Sequence, residues 1–155
     1  MQRAPLAALV AFLVFAAAPA QAITLEQAMA DPDWIGAPVQ HPYWSVDGKS
    51  LYYSLKEKGS PVRDLHCVDI ATGADTLIDA NAMTNADGAD PVYDRTYSRG
   101  AFVRNGDVFI RDVASGRLTQ VTRTAEHESS PEFSADGRAL HYRIGSDWFT
   151  YDIAS

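Results

Sequence analysis

Four histidines, one cysteine and two acidic clusters are the residues of this chain whose types could do chemistry. His41, His66, His127 and His141 lack the short spacings that let two ligands face one metal ion, so each reads as structural or surface-borne. Cys67 lies in Leu65-His66-Cys67-Val68, the pattern of a half-buried strand. A catalytic thiol is conceivable there, but a small apolar core residue is the favoured reading, and a lone cysteine forms no intrachain disulfide. Asn85-Ala86-Asp87-Gly88-Ala89-Asp90, with Asp94 beyond, is spaced like part of a calcium loop. An EF-hand register would put Met83 at the first ligand position, which needs an oxygen side chain, so the stretch reads as a polar connection. Glu126, Glu128 and Glu132 flank His127 and could meet a substrate ammonium, although a solvated loop is the plainer reading. An acyl-transfer nucleophile on a sharp elbow needs Gly-x-Ser-x-Gly, and Gly145-Ser146-Asp147-Trp148 breaks that run. No phosphate-cradling glycine loop or zinc spacing occurs. The sequence therefore assigns no catalytic residue, no binding residue, no metal ligand and no cofactor.

The elements that would position such residues begin after an expected leader. Met1-Gln2-Arg3 is a short positive start, Ala4 to Ala18 is almost wholly apolar, and Ala20-Gln21-Ala22 supplies small-x-small cleavage residues. Residues 1–22 are thus expected to be a signal peptide cut after Ala22, giving a periplasmic or secreted protein. The apolar run falls short of the ~20 residues of a membrane span, so no membrane association is expected once the leader is removed. Residues 23–37 are expected to hold a short helix from Leu25 to about Ala30, stopped before Pro32, and an ordered turn through Trp34 and Ile35.

From Pro38 onward no helical periodicity is visible. Trp44-Ser45-Val46-Asp47-Gly48-Lys49-Ser50-Leu51-Tyr52-Tyr53 returns as Phe133-Ser134-Ala135-Asp136-Gly137-Arg138-Ala139-Leu140-His141-Tyr142. Each copy is a strand, a tight Asp-Gly turn and a second strand. A second signal, Asp69-Ile70-Ala71-Thr72-Gly73, recurs 43 residues later at Asp112 and again 40 residues later at Asp152. That period matches the ~40–45 residues of a four-stranded propeller blade. The expected fold is all-β: a partial β-propeller of about two and a half blades over residues 38–155. The middle copy keeps its later half, but Tyr93-Asp94-Arg95-Thr96-Tyr97-Ser98-Arg99 lacks the Asp-Gly pair. At Ser155 the repeat calls for a glycine and a fourth strand, so the chain reads as part of a longer protein.

Composition is compatible with this. The chain has 155 residues, 46% of them hydrophobic, which suits a packed domain. A net charge of -7, with no basic cluster to follow phosphates, argues against a nucleic-acid partner.

Leu25-Glu26-Gln27-Ala28-Met29-Ala30-Asp31-Pro32-Asp33-Trp34-Ile35-Gly36, followed by the Ser-x-Asp-Gly blades, resembles the start of bacterial prolyl oligopeptidase family serine peptidases. The likeness is greatest to the dipeptidyl peptidase IV-like branch and covers essentially the whole chain after the leader. It implies an N-terminal propeller that gates short peptide substrates to a C-terminal α/β-hydrolase domain, the partner that would carry the Ser, Asp and His. None of those triad positions has a counterpart here. The Glu-Glu pair that holds the substrate amine in the dipeptidyl branch is also missing, so an endopeptidase or tripeptidase-type relative stays open. Tol-system propellers share the Ser-x-Asp-Gly hairpins, and the alternative is a non-enzymatic periplasmic propeller that binds a partner protein.

Overall fold

A computed structural model describes residues 24–30 and 36–153 of the chain. The leader with Ala20 and Ala22, and the Asp31–Ile35 turn, lie outside the described residues. The chain divides into two units, residues 1–35 and 36–155. In the first, α1 spans Leu25–Ala30, where the helix was expected.

The second unit is all-β, built from three consecutive antiparallel meanders, each a propeller-type blade. Blade 1 comprises β1 (Gln40–Trp44), β2 (Ser50–Lys56), β3 (Arg63–Asp69) and β4 (Asp75–Leu77). Blade 2 comprises β5 (Val92–Tyr93), β6 (Arg99–Arg104), β7 (Asp107–Asp112) and β8 (Leu118–Gln120). Blade 3 contributes β9 (Glu128–Phe133), β10 (Ala139–Ile144) and β11 (Asp147–Asp152). Strands neighbour one another in chain order within every blade, as short hairpin connections require.

Between blades 1 and 2 lies a helix that the sequence did not announce, α2 (Ala80–Met83). Asp79 caps it by accepting the Ala82 amide at 2.7 Å. One turn is too short to show a 3.6-residue period, so no periodicity betrays it.

The middle blade is complete, and its first turn shows how. In blade 1 the Ser45 hydroxyl donates to Asp47 at 2.7 Å while the Gly48 amide closes on the Ser45 carbonyl. Blade 3 repeats this with Ser134, Asp136 and Gly137. In blade 2 the roles are exchanged: Asp94 stands at the serine position and accepts from the hydroxyls of Thr96 and Ser98 and from the Ser98 amide. Tyr97 takes the glycine position, its amide bonding the Asp94 carbonyl and its φ at 55° in the left-handed region. Donor and acceptor have traded letters while the turn is kept.

A second shared device starts each blade. His41, Asp90 and Ser130 all have positive φ near 50°, and each precedes a proline two residues before an aromatic: Pro42-Tyr43-Trp44, Pro91-Val92-Tyr93 and Pro131-Glu132-Phe133. In blades 1 and 3 the strand register shifts at this point, the mark of a bulge. A third device extends the ladder between the second and third strands of each blade by one bond. The amides of Ile70, Val113 and Ile153 donate to the carbonyls of Lys49, Ser98 and Arg138 at 3.0, 2.9 and 2.8 Å.

The core sits between blades. Alternation along β6 sends Ala101 and Val103 to one face and Gly100 and Phe102 to the other. Ala101, Val108, Ile110 and Leu140 close the seam between blades 2 and 3, and Val46, Phe102 and Phe109 close the one between blades 1 and 2. Both faces of blade 2 are therefore covered, which is why Gly100-Ala101-Phe102-Val103 reads as a continuous small and apolar run. Gly100 has to be small: a Cβ there would lie 2.5 Å from Val46 Cγ1.

Candidate functional site

The densest polar arrangement lies in the seam between blades 1 and 2, and it is built from the stretch that resembles a calcium loop. Asp87, only 3% exposed, receives the Val46 amide on Oδ2 at 2.8 Å and Arg111 Nε on Oδ1 at 2.5 Å. Arg111 comes from β7 and uses its other two nitrogens on the carbonyls of Asn85 (2.6 Å) and Gly116 (2.7 Å). Arg104, on β6, donates to the carbonyls of Ala86 and Thr84 and stacks 4.2 Å from the Phe109 ring centre. Two arginines of blade 2 thus grip the backbone of the connection from blade 1, and its carboxylate reaches back to blade 1. Each Asp87 oxygen already holds a donor, and the guanidinium of Arg111 balances its charge.

Tyrosines line the same seam. The Tyr43 hydroxyl donates to the Asp87 carbonyl at 3.0 Å, and the Tyr93 hydroxyl to the Val46 carbonyl at 3.1 Å. Tyr43 stacks on Tyr52 with 5.1 Å between ring centres. Burial, reinforced by the Asp87 charge, pushes the Tyr43 phenol up to about 12. Burial likewise pushes Tyr52 to about 12, with Cys67 and Asp87 adding to it. Cys67 pairs with Tyr52 across the β2–β3 ladder and is half-buried, outside the buried core.

The remaining candidates are dispersed. His66 Nδ1 lies 3.2 Å from Asp75, which also accepts the Tyr53 hydroxyl at 2.6 Å. A histidine held by a carboxylate is the base-and-orienter half of an acyl-transfer site. Among the described residues no serine, threonine or cysteine is hydrogen-bonded to His66, so the nucleophile half is missing. The Tyr53 hydroxyl is the main cause holding the Asp75 carboxyl below its ordinary value. His141 Nδ1 lies 2.9 Å from the Thr150 hydroxyl, and His41 occupies the bulge that opens blade 1.

The three glutamates around His127 do not converge. Glu126, His127 and Glu132 are exposed, whereas Glu128 is 3% exposed at the start of β9. Its Oε1 accepts the Thr124 hydroxyl at 2.8 Å, and its Oε2 is buried without a hydrogen-bond partner. Plain alternation would put Glu128 and Glu132 on one face, and the register shift between Ser129 and Glu132 is what parts them. Among the described residues, no three His, Cys, Asp or Glu side chains are grouped so as to hold a metal ion. Among them also no helix is long and apolar enough to cross a membrane.

What sequence reasoning missed was Arg111 and Arg104, whose partners in the connection between blades 1 and 2 lie 18 to 26 positions away. The recurring x-Pro-x-aromatic would have located the first strand of blade 2.

The arrangement makes this chain a propeller-type scaffold: its buried polar groups fix turns and fasten one blade to the next. Neither a protein-family model nor a curated protein matches the chain. Among solved structures it is similar to TolB from Acinetobacter baumannii, at 17% identity and a TM-score of 0.39, covering 77% of this chain and 31% of that one. It is also similar to Porphyromonas gingivalis dipeptidyl peptidase 4, at 13% identity and a TM-score of 0.39, covering 74% of this chain and 22% of that one. A third similar structure is Pyrococcus horikoshii acylaminoacyl peptidase, at 17% identity and a TM-score of 0.37, covering 72% of this chain and 18% of that one. The chain thus spans less than a third of the length of each. At TM-scores below 0.5 these likenesses assign no activity, substrate or partner.

Proposed function

We propose that this chain is the N-terminal, substrate-gating propeller portion of an exported serine peptidase that cleaves short peptides, and that it carries no catalytic residue itself. The observation that carries the reading is the Leu25–Gly36 segment running straight into Ser-x-Asp-Gly blades, the order seen at the start of prolyl oligopeptidase family peptidases. The commitment of Asp87, Arg104 and Arg111 to fastening blades supports the scaffold part of it. A sieve of this kind needs blades that keep their relative positions while a peptide passes, because the hydrolysis it guards depends on a water-restricted site. The parent's α/β-hydrolase domain is the partner this reading requires.

Two measurements test it. The purified chain should not turn over proline-containing dipeptide substrates; turnover abolished by a serine-directed inhibitor would overturn the non-catalytic assignment. The genomic reading frame containing these codons should encode a downstream Gly-x-Ser-x-Gly with a later Asp and His. Further blades followed by a stop codon would favour the partner-binding propeller instead.

A further inference from the structure

We infer that the cavity between α2 and blade 2 binds a small monocarboxylate bearing an apolar side chain, with its carboxylate on Arg104 and Arg123 and its apolar part on Met83 and Leu118. Such a site is independent of the peptidase reading. The cavity has a volume of about 550 Å³, a size ordinary for small-molecule sites. Its walls come from the connection between blades 1 and 2, from blade 2 itself and from the residues just after β8.

The wall carries positive charge that the protein leaves unbalanced. Arg104 is half-buried there, and the acceptors of its Nη1 and Nη2 are the Ala86 and Thr84 carbonyls. Those neutral groups satisfy hydrogen bonds without cancelling a charge. The buried carboxylate of the seam, Asp87, is committed to Arg111. Burial, then the like charge of Arg111, hold the Arg104 guanidinium below its ordinary value, with the Asp87 charge opposing them. Arg123 lines the same cavity, is exposed, and meets neither a carboxylate nor a hydrogen-bond acceptor among the described residues. Asp107 is the acid on this wall, and it accepts the Gln120 side-chain amide at 2.9 Å and the Thr124 backbone amide at 3.3 Å. Two arginines against one aspartate leave a single positive charge, in a chain whose net charge is -7. That balance suits a monoanion, whereas a phosphate dianion overshoots it.

The rest of the wall narrows the class further. The Phe109 ring holds the Arg104 guanidinium 4.2 Å from its centre, and a planar fork fixed in this way takes a carboxylate with little further ordering. Asn85 and Asn105 add amide groups able to donate. Ala80 and Met83 of α2, with Leu118 of β8, supply apolar surface beside these donors. A carboxylate with a short apolar side chain uses both parts of the wall. Acetate leaves the apolar part empty, and a neutral amide leaves the arginines unbalanced.

The test titrates the chain with N-acetyl-leucine and follows the methyl signals of Met83 and Leu118 by NMR. Both should shift and saturate together, with a Kd of about 1–10 mM, the affinity open to so small a ligand. N-acetyl-leucinamide keeps the side chain and loses the charge, and it should bind about tenfold more weakly or worse, as should acetate and inorganic phosphate. Arg123→Gln should keep the melting temperature, since Arg123 holds no other group in place, and should weaken N-acetyl-leucine about tenfold. No saturation by about 100 mM, equal binding of the amide, tighter binding of phosphate, or an unchanged affinity in folded Arg123→Gln would each overturn the assignment. Acetyl-Ala-Ala-Leu separates two sources of the same chemistry: tighter binding than N-acetyl-leucine supports a peptide C-terminus as the occupant, and weaker binding supports a free acid.

Discussion

Asp87 and Arg111, 24 residues apart in the chain, meet at 2.5 Å in the seam between the first two blades, with side chains only 3% and 9% exposed. Two charges removed from water to this degree cost several kcal/mol each, and the pair is tolerable because nearly every remaining donor and acceptor is used. Val46 N–H, Asn85 carbonyl and Gly116 carbonyl complete the set. Breaking it from one side is therefore worse than removing it whole. Arg111→Ala should lower unfolding free energy by about 3–5 kcal/mol in urea denaturation, because it strands a buried carboxylate. Arg111→Met combined with Asp87→Leu should recover a large part of that loss. A loss under about 1 kcal/mol for Arg111→Ala would show that the seam does not depend on the pair.

Gly100 and Val46 set the distance between blades 1 and 2. A Cβ at position 100 would sit 2.5 Å from Val46 Cγ1 and 3.2 Å from Cγ2, in a seam with no room to yield. Gly100→Ala should destabilise by about 1–3 kcal/mol, as overpacking does. Combining it with Val46→Ala should cost less than the two changes added, since one removes the atoms the other meets. Strict additivity in a denaturation cycle would contradict the contact.

Tyr97 holds a left-handed conformation that Gly48 and Gly137 hold in the flanking blades, with φ at 55°, 69° and 70° respectively. Tyr97 is 72% exposed, and its ring lies tilted 5.4 Å from that of Tyr93. Asparagine tolerates this conformation far better than an aromatic residue does. Tyr97→Asn should raise stability by about 0.5–1 kcal/mol, and Gly48→Ala or Gly137→Ala should lower it by about 1–2 kcal/mol. A destabilising Tyr97→Asn, measured by thermal melting, would mean that the ring contact outweighs the backbone strain.

Acid should weaken the chain through its turns. The Thr72 hydroxyl holds the Asp69 carboxyl below its ordinary 3.8, and the hydroxyls of Ser115 and Ser134 do the same for Asp112 and Asp136. Unfolding returns these groups to ordinary values, so below about pH 4 the unfolded chain binds more protons than the folded one. Their contribution is whole above that pH and fades as pH falls through the lowered folded values. The urea midpoint should thus stay level from pH 7 to about 5 and drop below about 4, less steeply when all three aspartates are asparagine. An equally steep drop in the triple variant would remove these turns as the cause.

Much of this architecture was legible because its turns are spelled with residues whose chemistry is local. Ser45-x-Asp47-Gly48 and Asp69 through Gly73 each close a turn within five positions, so pattern and structure coincide. Blade 2 hid its first turn behind an exchange: Asp94 accepts what Asp47 accepts, but from the serine's place, and Tyr97 pays in strain what glycine avoids. The seam was illegible for a different reason. Asp87 reads as one more polar loop residue until β7 brings Arg111 to it, and no local spacing encodes that meeting. Glu128 parts from Glu132 only through the bulge in β9, which breaks the alternation that would put both on one face.

The same seam has a consequence for the order in which the chain can take shape. All four strands of blade 1 are present once residue 77 has been made, yet what locks its face arrives later: Asp87, then Gly100 and Phe102, then Arg111. On a chain emerging N-terminus first, blade 1 waits with Val46 uncovered for more than thirty residues of further synthesis. Any pause or chaperone contact in that interval acts on a blade whose pairing is finished and whose neighbour has not yet arrived.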